Sequence, residues 1–310
     1  MSPAAGLHRL LFTPVDARSL GLMRILLGLL LIANHVELWA ELHPMLGSAG
    51  WAPLAAAQAE PHRASHYDVV PDGPALHLVH GAGLLVLVAF TLGWRTRWVA
   101  WAALAVQVAI HHRNPWMQHG GDRVLRLATL ALCLVPAGAA LSLDARAGRG
   151  APTVPALAHR MVQLQWMIIY GATGAEKMLG RTWRDGSALL LALGNGDFQR
   201  FPHRLDPLLA LPAVRALAAG ATWATLAWEL AFPLLVLHPR TRRPALLAGL
   251  VVHGGIWLTM RVGAFTPAIL WGYLAFLPAG ALGAWAAARS PAWLRPPAAG
   301  YAPAPPEVPR

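Results

Sequence analysis

Lysine is almost missing from this chain. Of its 25 basic residues only Lys177 is a lysine, and every other is an arginine. A positive charge written almost everywhere as a permanently protonated guanidinium is written once as an ammonium, whose pKa falls when it is desolvated. Cysteine is equally scarce: Cys133 stands alone, which excludes an internal disulfide and a dithiol redox centre. Charge of either sign is thin. Charged residues are 13% of the 310 and hydrophobic ones 56%, whereas an ordinary soluble domain carries about a quarter charged residues. A soluble globule is therefore excluded, and an all-α integral membrane protein is implied.

What is present is a series of apolar runs approaching the roughly 20 residues that span a bilayer: 19–39, 75–92, 98–110, 124–143, 157–179, 221–237, 245–260 and 264–287. They read as a bundle of about eight transmembrane helices forming one membrane domain over 10–295, followed by a disordered Pro/Ala-rich tail over 296–310. With both termini inside, the inside segments hold thirteen arginines and the outside segments eight, a bias that favours N-in and C-in. The formal charge of +11 is thus distributed among membrane loops, and no nucleic-acid partner is expected. The first run is span-length rather than an h-region of about 7 to 15 residues, so it is expected to be retained. It follows TPVDARSLGLMR, with Asp16 or Ser19 near the N-cap. The arginine-over-lysine and alanine bias points to a GC-rich bacterial genome, hence to a bacterial plasma membrane. No internal repeat is visible, which disfavours an inverted-repeat transporter.

Ionisable groups at membrane depth are costly and each one is a functional candidate. Gln163, Tyr170 and Lys177 recur every seven residues and share one helix face with Thr173, while Glu176 is turned about 100° away. Gly171, Ala172, Gly174 and Ala175 leave room for another helix or a ligand beside Lys177. Two readings stay open: a desolvated lysine acting as base or nucleophile, or a lysine near a helix end that snorkels to the interface. His119, in RNPWMQHGGDRVLR, either exchanges protons and stabilises an anion or caps a helix, with Asp122 expected as the N-cap of VLRLATLALCLV. Glu229 and His253 lie deep in their runs and need partners: each other, Arg24 or Lys177. The histidine pairs His77/His80 and His111/His112 supply no complete ligand set, so no metal is expected.

Several short stretches together resemble the HTTM-like membrane domain shared with the vitamin K-dependent gamma-carboxylase family. DARSLGLMRILLGLL, with Asp16, Arg24 and Gly28, resembles its first span. GWAP, LGWRTRWVA and RNPWMQHGGDRVLR follow in the family's order. The strongest piece is YGATGAEKMLGRTWRDGSAL, similar to the family's Tyr, Gly, Lys, Trp, acid-Gly order, although the step from Lys177 to Trp183 is one residue longer here. WELAFPLLVLHPRTRR and VVHGGIWLTMRVGAFTPAIL, with His253, Gly263 and Phe265, complete the match.

In the carboxylase a lysine deprotonates vitamin K hydroquinone, oxygen addition then generates a strong base, and carboxylation of glutamate accompanies epoxide formation. The resemblance places that lysine on Lys177 and the family's mechanistic histidine on His119. It implies a substrate site completed by Arg24, Tyr170, Trp183, Glu229 and His253. The carboxylase continues into a large extramembrane region that presents the glutamates, so the expectation here is the same pocket chemistry with another acceptor: a base-catalysed quinol oxygenase or epoxidase in the bilayer, with a quinol as the lipid-soluble cofactor. Two alternatives accompany it. One is a non-enzymatic lipid or quinone binder or partner subunit; the other is a proton-coupled transporter relaying through Glu229 and His253.

Overall fold

The computed structural model describes residues 3–61 and 63–291, and the expected tail over 296–310 lies outside them. Two compact units divide the chain, 1–162 with 277–310 and 163–276.

In the first unit α1 (Pro3–Phe12) leads into β1 (Pro14–Asp16), which pairs antiparallel with β2 (Thr153–Pro155) so that Val15 faces Val154. Next come α2 (Arg18–Glu37), α3 (Pro74–Leu92), α4 (Thr96–Arg113) and α5 (Gly120–Cys133). The unit also contains the start of α6 (Leu157–Leu179) and, near the C-terminus, α10 (Ala279–Arg289). The second unit takes the rest of α6, three short helices (Arg181–Arg184, Ala188–Gly194, Pro202–Leu209), then α7 (Pro212–Leu237), α8 (Pro239–Thr259) and α9 (Phe265–Trp271) with its 3-10 continuation Gly272–Phe276.

Six of the eight apolar runs fall largely on one helix each; the run 124–143 is helical only as far as Cys133, and the run 264–287 is divided between Phe265–Phe276 and Ala279–Arg289, which are bent by 117°. Fewer have the length and apolarity of a crossing: the stretch Arg18–Leu46, α3 and α7, with Phe265–Phe276 plus Ala279–Arg289 as a fourth if that pair is one span. By that measure three or four candidate spans are supported where eight were expected. Length and charge account for the difference. α5 has 14 residues, about 21 Å at 1.5 Å per residue, short of the ~30 Å hydrocarbon core. α4 ends in His111, His112 and Arg113, α8 opens with Arg240, Arg242 and Arg243, and α6 carries Arg160, Glu176 and Lys177.

Local signals set the ends. α3 begins with Pro74 and stops at Gly93, whose φ of 70° is the left-handed turn that glycine adopts without steric cost. A Cβ there would also run into Ser142 and the Arg24 guanidinium. At the start of α2 the expected capping differs in detail: Ala17 is the N-cap, and Asp16 instead accepts from the Arg18 N–H at 2.9 Å and pairs with the Arg18 guanidinium.

Arg24 is the centre of the first unit. Its side chain is 0% exposed, and its guanidinium donates to the carbonyls of Thr91 (3.3 and 3.4 Å), Ala137 (2.7 Å), Ala140 (3.5 Å) and Leu141 (2.5 Å). All five N–H groups of a guanidinium are thereby used. Leu141 holds a left-handed φ of 51°, a conformation that a branched side chain adopts at a cost, and its carbonyl is among those turned onto Arg24. The flanking Gly21 and Gly28 let α2 approach closely: a Cβ would overlap the Ala140 carbonyl at the first and the Thr91 hydroxyl at the second.

At the other end of α2, His35 and His80 of α3 stack with ring centroids 3.7 Å apart and planes 7° from parallel. Each Nε2 lies 2.9 Å from the other residue's backbone carbonyl, and the Tyr67 hydroxyl is 3.2 Å from His80 Nδ1.

Asp144 holds the start of α4. Its carboxylate accepts from the Arg95 N–H (3.0 Å), the Thr96 N–H (2.7 Å), the Thr96 hydroxyl (2.8 Å) and the Arg149 guanidinium (2.7 Å). Burial pushes its pKa up, but these donors outweigh burial and hold it below the usual carboxylate value. A depressed folded pKa means that the stability it adds is complete above the unfolded value, about 4, and is lost as pH falls through the folded one. Asp144→Asn is therefore expected to flatten the acid limb of a melting-temperature profile below about pH 4. An unchanged limb would refute this role.

Candidate functional site

The face of α6 predicted to carry polar groups is the face that packs inside the second unit. Gln163 Nε2 donates to the Ala275 carbonyl at 2.7 Å and Trp166 Nε1 to the Ile269 carbonyl at 2.8 Å. Two turns further, Tyr170 is 2% exposed, with its hydroxyl 2.7 Å from His253 Nε2 and 2.8 Å from the Tyr273 hydroxyl. Another two turns on, about 10 Å along the axis, comes Lys177.

Lys177 Nζ donates to both oxygens of Glu229, to Oε2 at 2.6 Å and to Oε1 more closely still. Of the partners considered for Glu229, the structure selects Lys177; His253 pairs with Tyr170 instead. The Glu229 side chain is 6% exposed and the Lys177 side chain 26%, so the acid is buried while the lysine side chain is in part exposed. Trp183, on the short helix Arg181–Arg184, lies with its ring centroid 4.8 Å from Nζ, within the range of a cation–π contact. Gly174 brings α6 against Leu230 of α7, where a Cβ would sit 3.1 Å from the leucine side chain, and this close approach puts Glu229 within reach of Nζ.

Aromatic rings wall the Tyr170 end. Trp228 meets the Tyr170 ring edge-on at 5.0 Å, Phe232 lies at 4.1 Å, and Trp228 Nε1 is tied to the Ala245 carbonyl at 3.0 Å. His253 is 3% exposed and its Nδ1 has no hydrogen-bond partner among the described residues. A proton on Nδ1 would strand a buried donor, so the tautomer with its proton on Nε2 is the less costly one. His253 then donates to Tyr170, and Tyr170 to Tyr273. Gly249 is required for this arrangement, since a Cβ there would overlap the Tyr273 hydroxyl.

A family model describing the HTTM domain matches residues 12–279. The chain belongs to the HTTM-domain family. Comparison with curated proteins and with solved structures finds no match. Family membership relates this HTTM domain to the membrane domain of the gamma-carboxylases. Together with the apolar helices it identifies a membrane protein.

Of the seven residues expected at the site, Tyr170, Lys177, Trp183, Glu229 and His253 belong to the second unit of the HTTM domain, and Arg24 and His119 to the first. Arg24 spends its donors on the carbonyls described above. His119 is the N-cap of α5: its Nδ1 accepts from the Gly121 N–H at 2.9 Å, which leaves Nε2 to carry the proton. Asp122, expected as the cap, is instead the third helical residue of a capping box and accepts from the His119 N–H at 3.1 Å. Its carboxylate lies between His119 Nε2 at 3.5 Å and the buried His111 Nε2 at 3.6 Å, with Asn34 Nδ2 at 3.3 Å. Burial raises the Asp122 pKa, yet hydrogen bonds from His111 and the His119 backbone and the field of the two imidazoles bring it below the ordinary value.

Tyr273 is the residue the sequence reading missed. It is one of only four tyrosines in the chain, and a buried tyrosine in an apolar run needs a partner for its hydroxyl. That was the available signal.

Proposed function

We propose that this HTTM domain is a base-catalysed membrane enzyme acting on a lipid-soluble quinol or a similarly acidic small molecule, with Lys177 as the base. The observation that carries this reading is the Lys177–Glu229 pair, whose acid is buried, whose lysine side chain is in part exposed and whose Nζ lies 4.8 Å from the Trp183 ring centroid. A protonated lysine is not a base. Transfer of one Nζ proton to Glu229 leaves a neutral amine beside a neutral acid, and the amine then takes the quinol O–H proton to give an ammonium–quinolate pair. The proton displaced from Lys177 remains on Glu229 until the site resets. Trp183 supplies a flat apolar surface for a ring substrate, and the hydroxyls of Tyr170 and Tyr273 with His253 form a polar floor that exchanges protons without bulk water.

General-base catalysis contributes about 100- to 10,000-fold. In air-saturated buffer, with dioxygen as the electron acceptor, purified protein is expected to oxidise an added quinol at a rate that falls at least about 100-fold in Lys177→Ala. Lys177→Arg fails as well, because a guanidinium does not give up its proton, and Glu229→Gln slows turnover because the internal acceptor for the Nζ proton is gone. Full turnover in Lys177→Ala would end the assignment.

The bidentate geometry also favours a second reading, in which the pair clamps α6 to α7 in a non-enzymatic quinone or lipid binder. Lys177→Met then changes stability while quinone binding is retained. The topology taken with both readings has the eight runs membrane-embedded and both termini inside, supported by thirteen arginines on the inside segments against eight outside. The location taken with them is a bacterial plasma membrane.

A further inference from the structure

The first unit contains a cleft of about 840 Å³ that none of the site chemistry uses. Leu134 and Val135 are among its apolar walls, and Arg95, Arg97 and Arg149 stand around it with Trp98. Its size falls in the range of small-molecule sites, about 300–1,000 Å³. It lies where α3, one of the helices apolar enough to cross a membrane, has just ended at Gly93. The chain leaves that end through Trp94 and Trp98, which are 50% and 68% exposed. Exposed tryptophans at the end of a span mark the depth of lipid headgroups.

The charge in the cleft is one-sided. Its single carboxylate, Asp144, is committed to the backbone N–H groups of Arg95 and Thr96, the Thr96 hydroxyl and the Arg149 guanidinium. Arg95 and Arg97 have no carboxylate partner among the described residues; their guanidinium carbons lie over the Trp94 and Trp98 rings at 5.8 and 5.4 Å. A guanidinium placed near an indole ring can still present an N–H edge to an anion. Two such edges beside a third arginine match the oxygens of a phosphodiester, and basic pockets beside spans hold anionic headgroups.

We propose that this cleft binds one anionic phospholipid, its phosphodiester held by Arg95 and Arg97 with Arg149 beside them, and the upper part of an acyl chain on the Leu134–Val135 wall. An apolar wall adjoining a cationic rim suits an amphiphile better than a soluble phosphate. A zwitterionic lipid adds an ammonium that the three arginines repel.

The test is native mass spectrometry and thermal denaturation of the full chain in detergent, supplemented with phosphatidylglycerol, phosphatidylcholine or inorganic phosphate. Phosphatidylglycerol is expected to stay bound and to raise the melting temperature. Phosphatidylcholine should compete at least about tenfold more weakly, and phosphate alone should give no protection. The double variant Arg95→Gln/Arg97→Gln should abolish the preference, while Arg240→Gln, outside the cleft, keeps it. Equal retention of the two lipids by the unmutated chain overturns the proposal, whether or not the double variant folds. So does protection by phosphate equal to that by phosphatidylglycerol, which would make the cleft a site for a soluble anion. An unchanged preference in a folded double variant would place the lipid elsewhere.

Discussion

Lys177→Met is expected to destabilise the protein more than Glu229→Gln, although the two substitutions break the same pair. Removing the lysine leaves a carboxylate whose side chain is 6% exposed, without either of its Nζ bonds. Breaking a buried pair from one side costs about 3–5 kcal/mol, because the remaining charge is uncompensated. Removing the acid's charge leaves a lysine whose side chain is 26% exposed, and its flexible four-carbon stem lets the ammonium turn toward water. Glu229→Gln also keeps an acceptor oxygen for Nζ. The double variant Lys177→Met/Glu229→Met strands no charge and should recover most of the loss, since apolar replacement of buried pairs is often neutral or stabilising. Melting temperatures of the four proteins in one detergent decide this. A double variant less stable than Lys177→Met would show that the pair itself supplies net stability.

Arg24→Met should be more damaging still. The substitution keeps length and apolar volume but withdraws every donor from the carbonyls of Thr91, Ala137, Ala140 and Leu141. A buried acceptor left unpaired costs about 1–3 kcal/mol, so three or more of them amount to roughly 4 kcal/mol or beyond, a large part of the 5–15 kcal/mol of a typical fold. The expected outcome is little or no monodisperse protein by size-exclusion chromatography. Arg24→Lys, with three donors at one point in place of five in a plane, should be intermediate. A folded Arg24→Met with normal stability and weakened quinone binding would return Arg24 to the substrate site.

Much of this was legible because helices print their periodicity. The seven-residue spacing of Gln163, Tyr170 and Lys177 defined a face, and all three residues make their contacts on it. The partner of Glu229 was limited to three candidates, because period gives the face of one helix and says nothing about which helix packs opposite. Arg24 was unreadable for a related reason. An arginine in an apolar run looks alike whether it meets an anion or a crown of carbonyls, and the crown comes from the backbone around Ala137–Leu141, which carries no polar side chain to announce it. His119 takes the helix-cap reading that its sequence left open, and Asp122, expected as the cap, is the third residue of the capping box: an imidazole two residues before Gly121 reaches the free N–H, so the cap lies three residues upstream. Tyr273 sits in the 3-10 stretch Gly272–Phe276, where the repeat shortens from 3.6 to about 3 residues and face-reading fails. Fewer runs qualify as candidate spans than the eight expected, because apolar content alone does not distinguish a helix that crosses a bilayer from a shorter or more polar one beside it.

The crossed contacts of His35 and His80 have a consequence for how the sequence can change. Each ring supplies both the stacking surface and the donor that the other residue needs, so replacing either alone leaves one carbonyl without its N–H and one imidazole without its platform. No single step leads gently away from this arrangement. The two positions behave as one inherited letter, and a library that varies them together should recover replacement pairs that one-at-a-time mutagenesis would pass over.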